Sequence, residues 1–303
     1  MLKNLNYRKI FLPKELTESH CVTNAIRFIG DISATDDNEE PVFIFSAGWR
    51  AGSTLLQRLV VSSNQVVVWG EPLGEAGLLP RLAYSFSAIS SEWPGDIWSS
   101  SQGDLYNLSN QWIANLTPPY EHLWKANRNL ILTWLRDPAQ KEFGISRWGL
   151  KEVRLTIDHA HYLKWLFPKA KFLFIYRNPL LAYRSWKRNN WPGKFTAYHS
   201  YSPIIFARHW RLLVEGYLSG YKDVNGMLIS FEDLVAGNIS LKDIEEHIGV
   251  DNLSSEVLDN KIDSPKGLIK KRDINTFDRT VIQLICGPLL KKLGYQGKID
   301  NCK

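Results

Sequence analysis

The chain has 303 residues, 44% of them hydrophobic and 22% charged, with a formal net charge of +6. Such a composition excludes a disordered or collagen-like chain and permits one large α/β domain, expected to span 1–303. The positive charge suits an anionic partner, but it falls in local clusters and forms no basic tail, which argues against nucleic acid and membrane surfaces. Three cysteines, Cys21, Cys286 and Cys302, are far apart and odd in number, so neither a disulfide framework nor a zinc site is expected. No stretch reaches the ~20 apolar residues of a membrane span and no secretory leader is evident, so a cytoplasmic location is expected and the Asn-x-Ser/Thr matches are read as chance.

Residues 1–40 read as a solvated lead-in ending in the turn-prone "SATDDNEE". Val42–Phe45 is the first core strand. It runs into "SAGWRAGST" and a helix that starts near Ser53, with the Ser53 hydroxyl as cap and Leu55, Leu56, Leu59 and Val60 inward. Val66–Trp69 is a second β-branched run, closed by Gly70-Glu71-Pro72. Residues 74–145, rich in Trp, Leu and Tyr, read as helices that cap one side of the sheet. "RWGLKEV" is a third strand candidate. "KFLFIYRNP" is the clearest strand, followed by Asn178 as N-cap and Pro179 at the first helical position. "GMLISFEDL" is a strand turning into a helix at Glu232-Asp233-Leu234, and "DRTVIQLICGPLLKKLGY" a terminal helix stopped at Gly294. This alternation predicts an α/β fold with a central, mainly parallel sheet flanked by helices on both faces. Ligands of such sheets bind at the carboxyl ends of the strands, where Arg50, Glu71, Lys151 and Arg177 fall.

A strand, a glycine loop and a helix N-terminus together make an anion site, because unpaired N–H groups and the helix dipole converge on one spot. The nucleoside-triphosphate version of the loop reads G-x-x-x-x-G-K-[ST]. Aligned on Gly52, this chain has Ala47 for the first glycine and Ser53 where the lysine belongs. The loop's basic residue is instead Arg50. A small-molecule kinase using ATP is therefore the disfavoured alternative.

"RAGST" after an apolar strand resembles the 5′-phosphosulfate loop of the sulfotransferase family, typically R-S-G-T-T or K-S-G-T-T, with Ala51 and Ser53 as departures. A second resemblance lies in "FLFIYRNPLLAYRSW", which places Arg177 at a strand end and Ser185 eight positions later, as family members do for the donor's 3′-phosphate. Together these imply the nucleotide-kinase-like sulfotransferase fold and the donor 3′-phosphoadenosine 5′-phosphosulfate, with adenosine 3′,5′-bisphosphate as product. The resemblance assigns Arg50, Ala51, Gly52, Ser53 and Thr54 to the 5′-phosphosulfate. It gives Arg177 and Ser185 to the 3′-phosphate, joined by Lys266, and Lys151 to the sulfonate and leaving oxygen. Glu71 in "WGEP" matches the general base of the branch that includes tyrosylprotein and bacterial carbohydrate sulfotransferases. Glu75, His159 and His161 remain rival bases. "ISFEDLV" is similar to the family's Y-E-D-L segment, with Phe231 for tyrosine. The implied acceptor is a hydroxyl or amine of a carbohydrate or small metabolite, and no metal is required. Trp93, Trp98, Trp186, Trp191 and Tyr198 can either stack on it or pack the core.

Overall fold

A computed structural model describes residues 20–30, 32, 38–72, 77–87, 89, 118–188, 202–259 and 273–295. Five strands form one sheet: β1 (Val42–Ser46), β2 (Val67–Gly70), β3 (Trp148–Glu152), β4 (Lys171–Tyr176) and β5 (Gly226–Ser230). Their order is β2-β3-β1-β4-β5, and every neighbouring pair is parallel. A strand covered on both faces loses the usual alternation of apolar and polar residues. β1 accordingly reads VFIFS and is buried throughout. Its apolar side chains each contribute about 1.5–3 kcal/mol by leaving water. β3 approaches β1 so closely that a Cβ on Gly149 would lie 1.9 Å from the Val42 carbonyl oxygen, which accounts for the glycine in "RWGLKEV".

The two faces of β1 feed two cores. Phe43 and Phe45 join Phe172 and Phe174 in the larger one, where Phe45 meets Phe174 edge-on at 5.6 Å. Helices α1 (His20–Ile29), α3 (Leu78–Tyr84), α4 (Tyr120–Ile131), α5 (Asp137–Phe143), α6 (Ile157–Leu166), α7 (Pro179–Arg188), α8 (Pro203–Gly220) and α12 (Thr276–Lys292) contribute to it. Val42 and Ile44 face the smaller core, covered by α2 (Ser53–Val61), α9 (Phe231–Val235) and α10 (Leu241–Ile248), with α11 (Glu256–Asp259) beside them. The expected helices of 74–145 are present in their described parts, α3, α4 and α5; residues 90–117 lie outside the described residues.

Between α4 and α5 the helix widens into a π-helical turn, Leu132–Arg136. Pro138 lies just beyond it. A proline there has no N–H for the Trp134 carbonyl and its ring crowds that carbonyl, so the regular ladder is interrupted where the turn widens.

The parallel register aligns the strand ends that matter. Ile44 and Gly70 both pair with Lys151, and Ser46 pairs with Ile175. The carboxyl ends of β1, β2, β3 and β4 therefore open onto one edge of the sheet. Among the described residues, no helix is long and apolar enough to cross a membrane.

Candidate active site

The loop after β1 is built by alternating backbone handedness. Gly48 (φ 82°), Arg50 (φ 65°) and Gly52 (φ 95°) are left-handed, while Trp49 and Ala51 between them are not. Such alternation turns successive N–H groups toward one concave side and forms an anion-binding nest. The nest is anchored below: the Ala47 N–H donates to the Ile175 carbonyl at 2.8 Å, and the Ser46 hydroxyl donates to the Gly48 carbonyl at 2.8 Å. Gly52 has a second reason to be glycine, since a Cβ there would lie 2.1 Å from the Phe231 ring.

The sequence predicts a hydroxyl cap on α2 from Ser53. Instead Gly52 is the N-cap, with no side-chain hydrogen bond, and Ser53 is the buried first residue of the helix. The left-handed glycine turns the chain into α2 directly and leaves the cap position without a hydroxyl. The first N–H groups of the helix, which have no intrahelical partners, thus extend the nest. Ala51 is buried and Thr54 exposed, and Leu55 is half-buried where burial was expected.

Arg50, Arg177 and Ser185 meet above this loop. The Arg50 Nε donates to the Ser185 hydroxyl at 2.9 Å, and an Arg177 Nη1 donates to the Arg50 carbonyl at 3.2 Å. Asn178 and Pro179 do what the sequence predicts: the Asn178 side chain accepts from the Leu180 N–H at 3.0 Å and α7 begins at Pro179. Trp210 on α8 donates its indole N–H to the Arg177 carbonyl at 2.9 Å. The Arg177 guanidinium lies over the Phe231 ring, 4.3 Å from its centre. Burial lowers the proton affinity of both arginines from the ordinary value. Arg177 Nε is buried without a hydrogen-bond partner, the Glu232 carboxylate being 4.0 Å away.

Glu232 was missed as a functional candidate. One carboxylate oxygen accepts the Asn178 N–H at 3.1 Å and the other accepts the Tyr295 hydroxyl at 2.8 Å, so it ties β4's end to α9 and to the end of the described chain. The signal was available: Glu232 follows a strand end, as Arg50, Glu71 and Arg177 do. Trp49 and His209 were also missed. The Trp49 ring packs between Trp186, at 5.1 Å, and His209, at 5.6 Å.

Glu71 and Lys151 meet on the neighbouring strand ends. The Glu71 N–H donates to the Lys151 carbonyl at 2.8 Å, and their side chains form an ion pair. Lys151 is nearly buried and Glu71 keeps 33% of its side chain exposed. Glu71 adopts φ 34°, a strained conformation for a residue with a Cβ. Next along β3, Glu152 pairs with Arg154 at 2.9 Å, both buried; burial raises the Glu152 carboxyl, opposed by Arg154.

The histidines are placed differently. His159 is buried in the first turn of α6, where its Nδ1 accepts the Thr156 N–H at 3.1 Å. The neutral ring must therefore carry its proton on Nε2, which is buried without a partner. His161 is half-buried near Gly220, at the end of α8 that leads back to the amino end of β5. Burial drives both His159 and His209 down to about 4. Each is raised in the unfolded chain to near 6.5, so between pH 6.5 and 4 the unfolded state binds more protons and stability falls as pH falls. The loss is roughly 3 kcal/mol per histidine at 1.36 kcal/mol for each tenfold change. Glu152 acts in the opposite direction. A falling melting temperature from pH 7 to 4.5, less steep in His209→Gln, is the expected result.

Lys266, Glu75, Trp93, Trp98, Trp191 and Tyr198 lie outside the described residues. Among the described residues, no group of three or more His, Cys, Asp or Glu side chains is arranged to hold a metal ion.

A family model described as "Sulfotransferase family" matches residues 41–254, more than half of the chain and every strand of the sheet. The chain belongs to the sulfotransferase family. This sulfotransferase is similar to the sulfotransferase domain of the Synechococcus PCC 7002 olefin synthase, with 17% identity, 86% of this chain and 98% of that one covered, and a TM-score of 0.41. It is similar to the sulfotransferase domain of the curacin biosynthetic pathway, with 14% identity, 86% and 99% covered, and a TM-score of 0.46. The third is sulfotransferase STF9 from Mycobacterium avium, with 12% identity, 93% and 86% covered, and a TM-score of 0.41. No curated protein matches this sulfotransferase. Its α/β fold, a parallel sheet flanked by helices, is the architecture the sequence predicts.

Proposed function

We propose that this sulfotransferase, acting as a single 1–303 domain, takes the sulfuryl group from 3′-phosphoadenosine 5′-phosphosulfate and passes it to a hydroxyl or amine of a carbohydrate or small metabolite. The observation that carries the reading is the junction of Arg50, Arg177 and Ser185 over the nest. A nucleotide with phosphates at both ends of its ribose needs two adjoining cationic sites, and the three residues supply them. The fit is supported by the buried Arg177 Nε, which has no hydrogen-bond partner, and by the alternating positive φ of Gly48, Arg50 and Gly52 that turns the loop's N–H groups to one side. Arg50 and residues 51–54 receive the 5′-phosphosulfate. Arg177 and Ser185 receive the 3′-phosphate, with Lys266 from outside the described residues.

Transfer forms a bond from the acceptor oxygen or nitrogen to sulfur as the bond from sulfur to the bridging oxygen breaks. By analogy with phosphoryl transfer, charge then builds on the leaving phosphate and fixed cations stabilise it. Arg50 and Lys151 are those cations. Glu71 takes the acceptor's proton. The rival bases are less suited: His159 is buried with Nδ1 engaged and Nε2 protonated, and His161 is directed to the other end of α8.

The test is the melting temperature with adenosine 3′,5′-bisphosphate, against ADP and against ATP with Mg²⁺. A ligand at 100 times its Kd that binds only the folded state stabilises it by about 2.7 kcal/mol. Stabilisation by the 3′,5′-bisphosphate well above that by ADP is expected. Stabilisation by ATP with Mg²⁺ alone would overturn the donor assignment.

A further inference from the structure

β2 stands at the edge of the sheet, so Glu71 hangs from a strand with one hydrogen-bonded neighbour. Two side-chain contacts replace the missing one. On one side the Gln57 amide donates to the Val68 carbonyl at 2.8 Å. On the other, the Trp69 indole N–H donates to the Leu135 carbonyl at 2.8 Å. Leu135 belongs to the π-helical turn that precedes Pro138. Trp69 also packs on Phe143 of α5, 6.0 Å between ring centres.

We propose that Trp69, held by the π-helical turn 132–136, is a positioning residue that fixes Glu71 against Lys151; the inference rests on the reading of Glu71 as the base. One residue, Gly70, separates Trp69 from Glu71, whose backbone is strained, and strain of that kind persists only when its surroundings over-determine it. The Trp69 anchor, the Gln57 clamp and the bond from Glu71 N–H to the Lys151 carbonyl are those surroundings. The π turn serves the chemistry by holding the Leu135 carbonyl within reach of the Trp69 indole.

Two variants test it. Trp69→Phe keeps an aromatic ring and removes the N–H. Pro138→Ala restores an N–H for the Trp134 carbonyl, lets the π turn close toward a regular ladder and so shifts the neighbouring Leu135 carbonyl away from Trp69. Turnover of 3′-phosphoadenosine 5′-phosphosulfate is followed as release of adenosine 3′,5′-bisphosphate, with p-nitrophenol and simple sugars as acceptors, beside Glu71→Gln. A misplaced group costs on the order of 10- to 100-fold. The expected result is a loss of that size in kcat for both variants, with an altered acid limb of the pH profile. Donor KM and bisphosphate affinity should stay within about twofold. Pro138→Ala should lose kcat while melting no lower than the parent, a combination that a purely structural role would not give. Unchanged kcat in Pro138→Ala, or in folded Trp69→Phe, with Glu71→Gln inactive, overturns the positioning role alone. Parent-like turnover in Glu71→Gln overturns the base reading beneath it.

Discussion

Replacing Glu71 by glutamine is expected to lower turnover by about 10²- to 10⁴-fold, the usual contribution of a placed general base, while adenosine 3′,5′-bisphosphate still binds. Glutamine keeps the size and the hydrogen-bonding capacity of the side chain and removes its ability to take a proton. The substitution also strips the carboxylate from Lys151, whose side chain is nearly buried. A buried cation without its partner is costly, so the variant's melting temperature must be read beside its rate. Bisphosphate binding separates the two effects: a folded variant with an intact donor site and no turnover places the loss in the chemistry. Lys151 holds Glu71 in an ion pair. With donor bound, an anionic sulfonate would compete for the ammonium and free the carboxylate for the acceptor. Turnover within twofold of the parent would remove Glu71 from the mechanism.

How much of this was legible in the sequence depends on the range of each interaction. β1 and β4 announce themselves as short, wholly apolar runs because both of their faces are covered, and their ends could be placed to within a residue. The loop was readable because glycine at positions 48 and 52 has a backbone cause, positive φ, that few other residues satisfy. Arg50 broke that rule by adopting φ 65° itself, which no local pattern predicts. β2 was displaced by one residue, Val67–Gly70 for Val66–Trp69, since edge strands carry weaker patterning. The cap on α2 was misassigned because a serine after a glycine fits the capping preference equally well one position earlier or later. Nothing local foretold the pairings that assemble the site. Glu232 with Tyr295, Trp69 with Leu135 and Trp49 with His209 each join segments far apart in the chain. The π turn was hidden for a related reason: Pro138 is visible, but whether a proline ends a helix or widens it depends on what accepts the freed carbonyls.

Arg177→Ala is expected to weaken adenosine 3′,5′-bisphosphate by about 10- to 100-fold, the equivalent of one hydrogen bond to a charged group at 1.5–3 kcal/mol, and ADP by much less. The contrast matters because Arg177 has two jobs in the structure. It donates to the Arg50 carbonyl, which steadies the loop, and it holds a buried Nε that has no hydrogen-bond partner. Loss of the first job affects every nucleotide that touches the nest. Loss of the second affects only a nucleotide with a phosphate on its 3′ oxygen. Alanine leaves the backbone bond from Trp210 to the Arg177 carbonyl in place, so the end of β4 stays tied to α8. Isothermal titration of the two nucleotides against parent and variant gives the ratio directly. Equal losses for both would confine Arg177 to loop support, and the 3′-phosphate would then have to be held by Ser185 together with groups outside the described residues.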